Sequence, residues 1–169
     1  MIEKLDKTKM APGVFFVCGD CDRCHENYDF YWNTLRDNGK DPRLHLVAIN
    51  GGPLNLINAG YESDEWNTII RAFIIEKQLR GSSLLKKLKR TILVGHWPCG
   101  QCEDWEMKIE DAVLRLAQAT TFARRMLKQN GIEVVARVHF DKGAEMNTYH
   151  FWDQELHNQG VRETELVLT

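Results

Sequence analysis

The chain has 169 residues, of which 43% are hydrophobic and 27% charged, with a formal net charge of −2 at pH 7. That length suits a single domain over residues 1–169, burying roughly 70% of its unfolded surface in its own core. The near-neutral charge excludes the strongly basic face that non-specific nucleic-acid binding requires, and no apolar run is long enough for a membrane span.

The opening stretch MIEKLDKTKMAPG has charges but no apolar core of the kind a secretory signal needs. Five cysteines without such a signal fit thiols kept reduced in the cytoplasm, for metal or redox use rather than disulfides. GVFFV (13–17) reads as the first strand and NYDFYWNTLRDNG (27–39) as a helix stopped at Asn38-Gly39. LHLVAI (44–49) is a second strand, and SDEWNTIIRAFIIEKQLRG (63–81) a helix ending at Gly81. The basic run LLKKLKR (84–90) reads as a solvated helix end before the strand TILVG (91–95). A long helix follows over 103–131, with apolar residues at helical spacing from Trp105 to Leu127, acids early and bases late. EVVARVHF (133–140) is the fourth strand, and the tail from Phe151 reads as a helix and a short terminal strand.

Strands 13–17, 44–49 and 91–95 are continuous apolar runs rather than alternating ones, as in strands covered on both faces. Alternation of such strands with helices predicts an α/β fold, a mostly parallel central sheet flanked by helices. In that architecture, sites form beyond the carboxyl ends of strands. Two cysteine clusters stand at such ends: Cys18, Cys21 and Cys24 after FFV, and His96, Cys99 and Cys102 after ILVG. If the two strands are neighbours, Cys18, His96 and Cys99 converge, and two thiolates with an imidazole suit tetrahedral Zn²⁺. Asp20 is then placed to take the fourth position or to bond a water there.

Other readings of the same residues stay open. C-x-x-C pairs at 18–21, 21–24 and 99–102 have zinc-site spacing, and C-x-x-C-x-x-C offers three ligands to an iron–sulfur cluster. WPCGQC between a strand and a helix also looks like a thiol-redox motif. Cys21, Cys24 and Cys102 read most simply as small buried hydrophobes. His25 reads as an exposed helix-start residue, His45 and His139 as strand residues, and His150 and His157 as surface residues. Asn50-Gly51-Gly52-Pro53 is a tight turn whose glycines let the backbone approach a site.

CGD (18–20), NGG (50–52) and GHWPCG (95–100), in that order, resemble the β-class carbonic anhydrases. That family carries C-x-D-S-R at one strand end, an Asn-Ala-Gly segment after the next strand and G-H-x-x-C-G after a third. The helix IIRAFIIEKQL before TILVGH and the segment VARVHFDKGAEM (135–146) are also similar. The resemblance spans roughly residues 13 to 146 and implies a β-carbonic-anhydrase-like fold. It implies Cys18, His96 and Cys99 as Zn²⁺ ligands, with Asp20 either ligating the metal in a closed form or orienting water in an open one. The implied activity is reversible hydration of CO₂ to bicarbonate by a homodimer or higher homo-oligomer. Where the family carries an arginine that restrains the acid, this chain has Asp22, a departure from the pattern, and Arg23 one residue on is the candidate substitute, given a rearranged turn. Pro98 stands where the family often has a polar residue. A closed, non-catalytic zinc site is the alternative.

Overall fold

Of the continuous apolar runs, 13–17 and 91–95 become inner strands of a six-stranded sheet, whereas 44–49, expected to be covered on both faces, becomes an edge with only Val47 fully buried; the strand order is β1-β6-β5-β4-β2-β3. The computed structural model describes residues 3–4, 12–36, 43–57, 64–141 and 146–150. The strands are β1 (Glu3–Lys4), β2 (Gly13–Cys18), β3 (Leu44–Ile49), β4 (Arg90–Trp97), β5 (Glu133–Asp141) and β6 (Met146–His150). β2 pairs parallel with both β3 and β4, and β4 pairs parallel with β5. β6 and β1 extend the far edge antiparallel. The central four strands are therefore all parallel and flanked by helices, as the alternation predicts.

Residue parity along the strands builds two cores. Val14, Phe16 and Cys18 of β2 and Leu93 of β4 face helix α5 (Ile109–Leu127) and a 3₁₀ turn (Gly52–Leu56). Phe15 and Val17 of β2 with Ile92 and Val94 of β4 face helix α1 (Cys21–Leu35). There Tyr31 sets its ring 4.4 Å from that of Phe15. Successive side chains of a strand point to opposite faces, so β2 must be apolar throughout to serve both cores.

After β2 the chain crosses by α1 to β3, then returns past β2 to β4 by way of helices on the opposite face. Right-handed crossovers demand this change of face when the direction of travel along the sheet reverses. The reversal leaves a crevice at the carboxyl ends of β2 and β4, and Cys18 and His96 stand at it.

Several boundaries differ from the sequence expectation. α1 starts at Cys21 rather than 27, with Asp20 as its N-cap and no side-chain capping bond. Its core-facing positions, the half-buried Cys24 and Tyr28 and the buried Tyr31, follow i, i+4, i+7 spacing. The helix expected to end at Gly81 runs through it: α2 (Asp64–Phe73) continues as a π-helical stretch (Ile74–Gly81) into α3 (Ser82–Lys86). Lys87, with φ 54°, closes that run. The helix expected over 103–131 is two: α4 (Gly100–Asp104), then α5 after a turn through Glu106 at φ 50°. β4 reaches Trp97, which puts His96 inside the strand. The expected tail helix and strand lie outside the described residues.

Candidate metal centre

β2 delivers Cys18, β4 delivers His96, and the N-cap of α4 delivers Cys99. All three are buried, and one ligand atom from each lies within 4.8 Å of the other two. The sulfurs of Cys18 and Cys99 are 3.9 Å apart. A tetrahedral site with Zn–S bonds of about 2.3 Å holds its sulfurs about 3.8 Å apart. The spacing across the two strand ends therefore matches one edge of such a site.

The imidazole is oriented for the same task. Nδ1 of His96 is 2.8 Å from the carbonyl oxygen of Pro98. A carbonyl only accepts, so Nδ1 carries the proton and the lone pair of the neutral ring sits on Nε2. Nε2 is buried and, apart from the Cys18 thiol beside it, has no hydrogen-bond partner. An orphaned buried acceptor is costly, and a metal ion in this position satisfies it. Pro98 thus contributes through its backbone, which any residue supplies, and its place in GHWPCG is compatible with a ligating His96.

Backbone N–H groups converge on both sulfurs. Gly51 N–H donates to Cys18 Sγ at 3.2 Å, joined by the N–H of Asp20. The Cys102 N–H donates to Cys99 Sγ. Such bonds favour the thiolate and therefore a metal-ligating role. Without an ion, the hydrogen bond with Cys99 and then burial push the Cys18 thiol up to about 12, with His96 and the Asp20 N–H pulling the other way. Cys99 is pushed up to about 11, first by its bond with Cys102. Two neutral thiols sharing a hydrogen bond are the expected state of two ligands lacking their cation.

Gly51 and Gly52 make the approach possible. Both have left-handed φ, 73° and 51°. A Cβ on Gly52 would lie 2.5 Å from the Cys18 nitrogen, so the turn after β3 is packed directly on the ligand's backbone. Beside the three donors lies a cavity of about 20 Å³ whose lining includes Gly95, Val113, Leu116, Val138 and Phe140. That is space for little more than one water molecule, which needs about 10–15 Å³. Sequence reasoning missed Leu116, because its place in the helical stripe marks it only as core.

The remaining candidates fall elsewhere. The Asp20 carboxylate is half-buried and outside the three-donor group. The side chains of Cys21, Asp22 and Arg23 lie outside the described residues. Cys24 packs with Phe15 and Val17 on the α1 face and, among the described residues, is not part of the three-donor group. Cys99 and Cys102 are 3% and 1% exposed, which does not suit thiol exchange with an outside partner. His25 is exposed and pairs with Asp29 at 3.2 Å, His45 bonds Ser82 at 2.9 Å, and His139 is buried in β5.

No protein-family model matches the chain, and a search of curated proteins finds no match. Among solved structures, the chain is similar to the β-carbonic anhydrase CafD of the filamentous fungus Aspergillus fumigatus. The identity is 10% and the TM-score 0.47, covering 88% of this chain and 98% of that one. Two single-substitution variants of the same enzyme give 9% and 8% identity, with TM-scores of 0.46 and 0.48 and the same coverage.

Proposed function

We propose that the chain binds Zn²⁺ through Cys18, His96 and Cys99 and hydrates carbon dioxide reversibly to bicarbonate. The observation that carries the metal assignment is the buried convergence of two thiols and one imidazole lone pair at the reversal point of the sheet. The ordered motifs CGD, NGG and GHWPCG support the choice of reaction. Zinc in such a site supplies Lewis acidity, which makes water nucleophilic at neutral pH.

The chain's own part is positioning and exclusion. Gly51, Asp20 and Cys102 hold the sulfurs through their amides, and Pro98 holds the ring of His96. The apolar walls given by Val113, Leu116, Val138 and Phe140 suit a small neutral linear substrate better than an ion. Asp20 is assigned the acceptor role toward the reacting water, and Arg23 the role of holding the carboxylate off the metal. A single zinc-binding domain over 1–169, in the cytoplasm, is part of the proposal. So is a homodimer: edge strand β3 flanks a groove of about 480 Å³ with Leu46, Ile70 and Phe73 in its wall. Phe73 is 53% exposed, and burial against a second copy would remove that apolar surface from water. Sedimentation at micromolar concentration should show a dimer that Phe73→Glu weakens; a wild-type monomer refutes this part.

A second reading is favoured by Asp22, which replaces the family's arginine: a closed zinc site without turnover. Stopped-flow CO₂ hydration, with zinc quantified in the same sample, separates the two. Turnover proportional to zinc content is the expected result. Stoichiometric zinc without turnover above buffer would refute hydration and leave the closed site.

A further inference from the structure

Cys102 adjoins the centre, and the hydration reading gives its thiol no task. It is 1% exposed, packs in the same core cluster as Cys18 and Cys99, and shares a thiol–thiol hydrogen bond with Cys99. Its amide already serves Cys99, and any residue would supply that N–H. The side chain is therefore the part of Cys102 that lacks an account.

The centre has three protein donors for an ion that takes four in tetrahedral geometry. The Asp20 carboxylate is not in the three-donor group, and the same is true of the Cys102 sulfur. Cys102 differs in being fully enclosed and one hydrogen bond from a ligand. Its spacing from Cys99, C-x-x-C, is one at which both sulfurs commonly hold a single zinc ion. Rotation between staggered wells moves a cysteine sulfur by about 3 Å without backbone movement.

We propose that Cys102 is the fourth protein ligand of the resting centre, its thiolate completing a Cys₃His set on the bound metal. On ligation the thiol gives its proton to solvent and the sulfur lone pair goes to the metal. The centre then opens to solvent only when Cys102 withdraws, so any hydration is conditional on release of one thiolate. The inference rests on metal binding at Cys18, His96 and Cys99 and is independent of whether hydration occurs.

The test is X-ray absorption on the full chain loaded with one equivalent of Co²⁺, together with its visible spectrum. Wild type should show three sulfurs and one nitrogen around the metal, and d–d bands unmoved by thiocyanate. Cys102→Ser should show two sulfurs, a weaker sulfur-to-cobalt charge-transfer band and bands that thiocyanate shifts. Two sulfurs in wild type overturn the proposal, and that result depends on no variant folding. Failure of wild type to take up one equivalent of cobalt overturns the metal assignment beneath it, a distinct outcome with no sulfur shell to count.

Discussion

Replacing His96 with alanine is expected to weaken zinc binding by more than two orders of magnitude. Loss of a partner that merely orients a ligand costs about 10–100-fold, and His96 offers the lone pair itself. Its Nε2 is buried with no hydrogen-bond partner other than the Cys18 thiol beside it, while Nδ1 is committed to Pro98. The effect should be confined to this ring. His25→Ala, at an exposed position on α1, serves as the control and should leave affinity unchanged. Chelator competition on the purified variants measures both. Retention of tight, stoichiometric zinc by His96→Ala would remove His96 from the ligand set.

Gly52→Ala should be the most damaging single methyl in the turn after β3. Its φ of 51° is the left-handed region, and the added Cβ would sit 2.5 Å from the Cys18 nitrogen and 2.7 Å from the Val17 carbonyl carbon. Left-handed backbone costs about 1–2 kcal/mol for a residue with a Cβ, and overpacking about 1–3 kcal/mol more, giving roughly 3 kcal/mol in urea unfolding. The strand end must shift to relieve the overlap, so metal affinity should fall along with stability. Gly100→Ala is the matched control: a Cβ there meets nothing within 4 Å and lies in α4. Equal stabilities for the two variants would show that the turn is not packed on Cys18 as described.

The parts legible in the sequence are those that a short apolar pattern determines. β2 and β4 announce themselves as continuous runs because both faces are covered, β3 has the same pattern although it lies at the sheet edge, and the residues just past such strands are where a parallel sheet places chemistry. Cys18, His96 and Cys99 could therefore be brought together before any coordinates. The sequence alone does not make β2 and β4 neighbours; the pairing of Val14 with Thr91 through Val17 with Val94 does.

What was not legible depends on tertiary contacts. Nothing in EDWEMK marks a break, yet Glu106 turns at positive φ and Met107 N–H bonds the Cys102 carbonyl at 2.9 Å. Trp105, Met107 and Ile109 pack on the same core, and that burial overrides the helical pattern. Gly81 looks like a stop, but the π-helical register carries Ile74, Ile75 and Leu79 into the core and continues past it. Among the described side chains in the first turns of α1, Cys24 and Tyr28 are those packed on the β2 core, too few to read as an apolar stripe. The role of Pro98 was hidden for another reason: a backbone carbonyl has no sequence signature.

The most direct test of the central claim is calorimetric titration of the metal-free, reduced chain with Zn²⁺ in two buffers of different ionisation enthalpy. Cys18 and Cys99 enter with their thiols held above the ordinary cysteine range, to about 12 and about 11. Binding must therefore expel their protons at pH 7, and affinity must fall as pH is lowered. The result predicted is one tight equivalent per chain, with at least two protons released, and a third if Cys102 ligates. No saturation at one equivalent, or binding without proton release, would contradict a thiolate metal centre at the ends of β2 and β4.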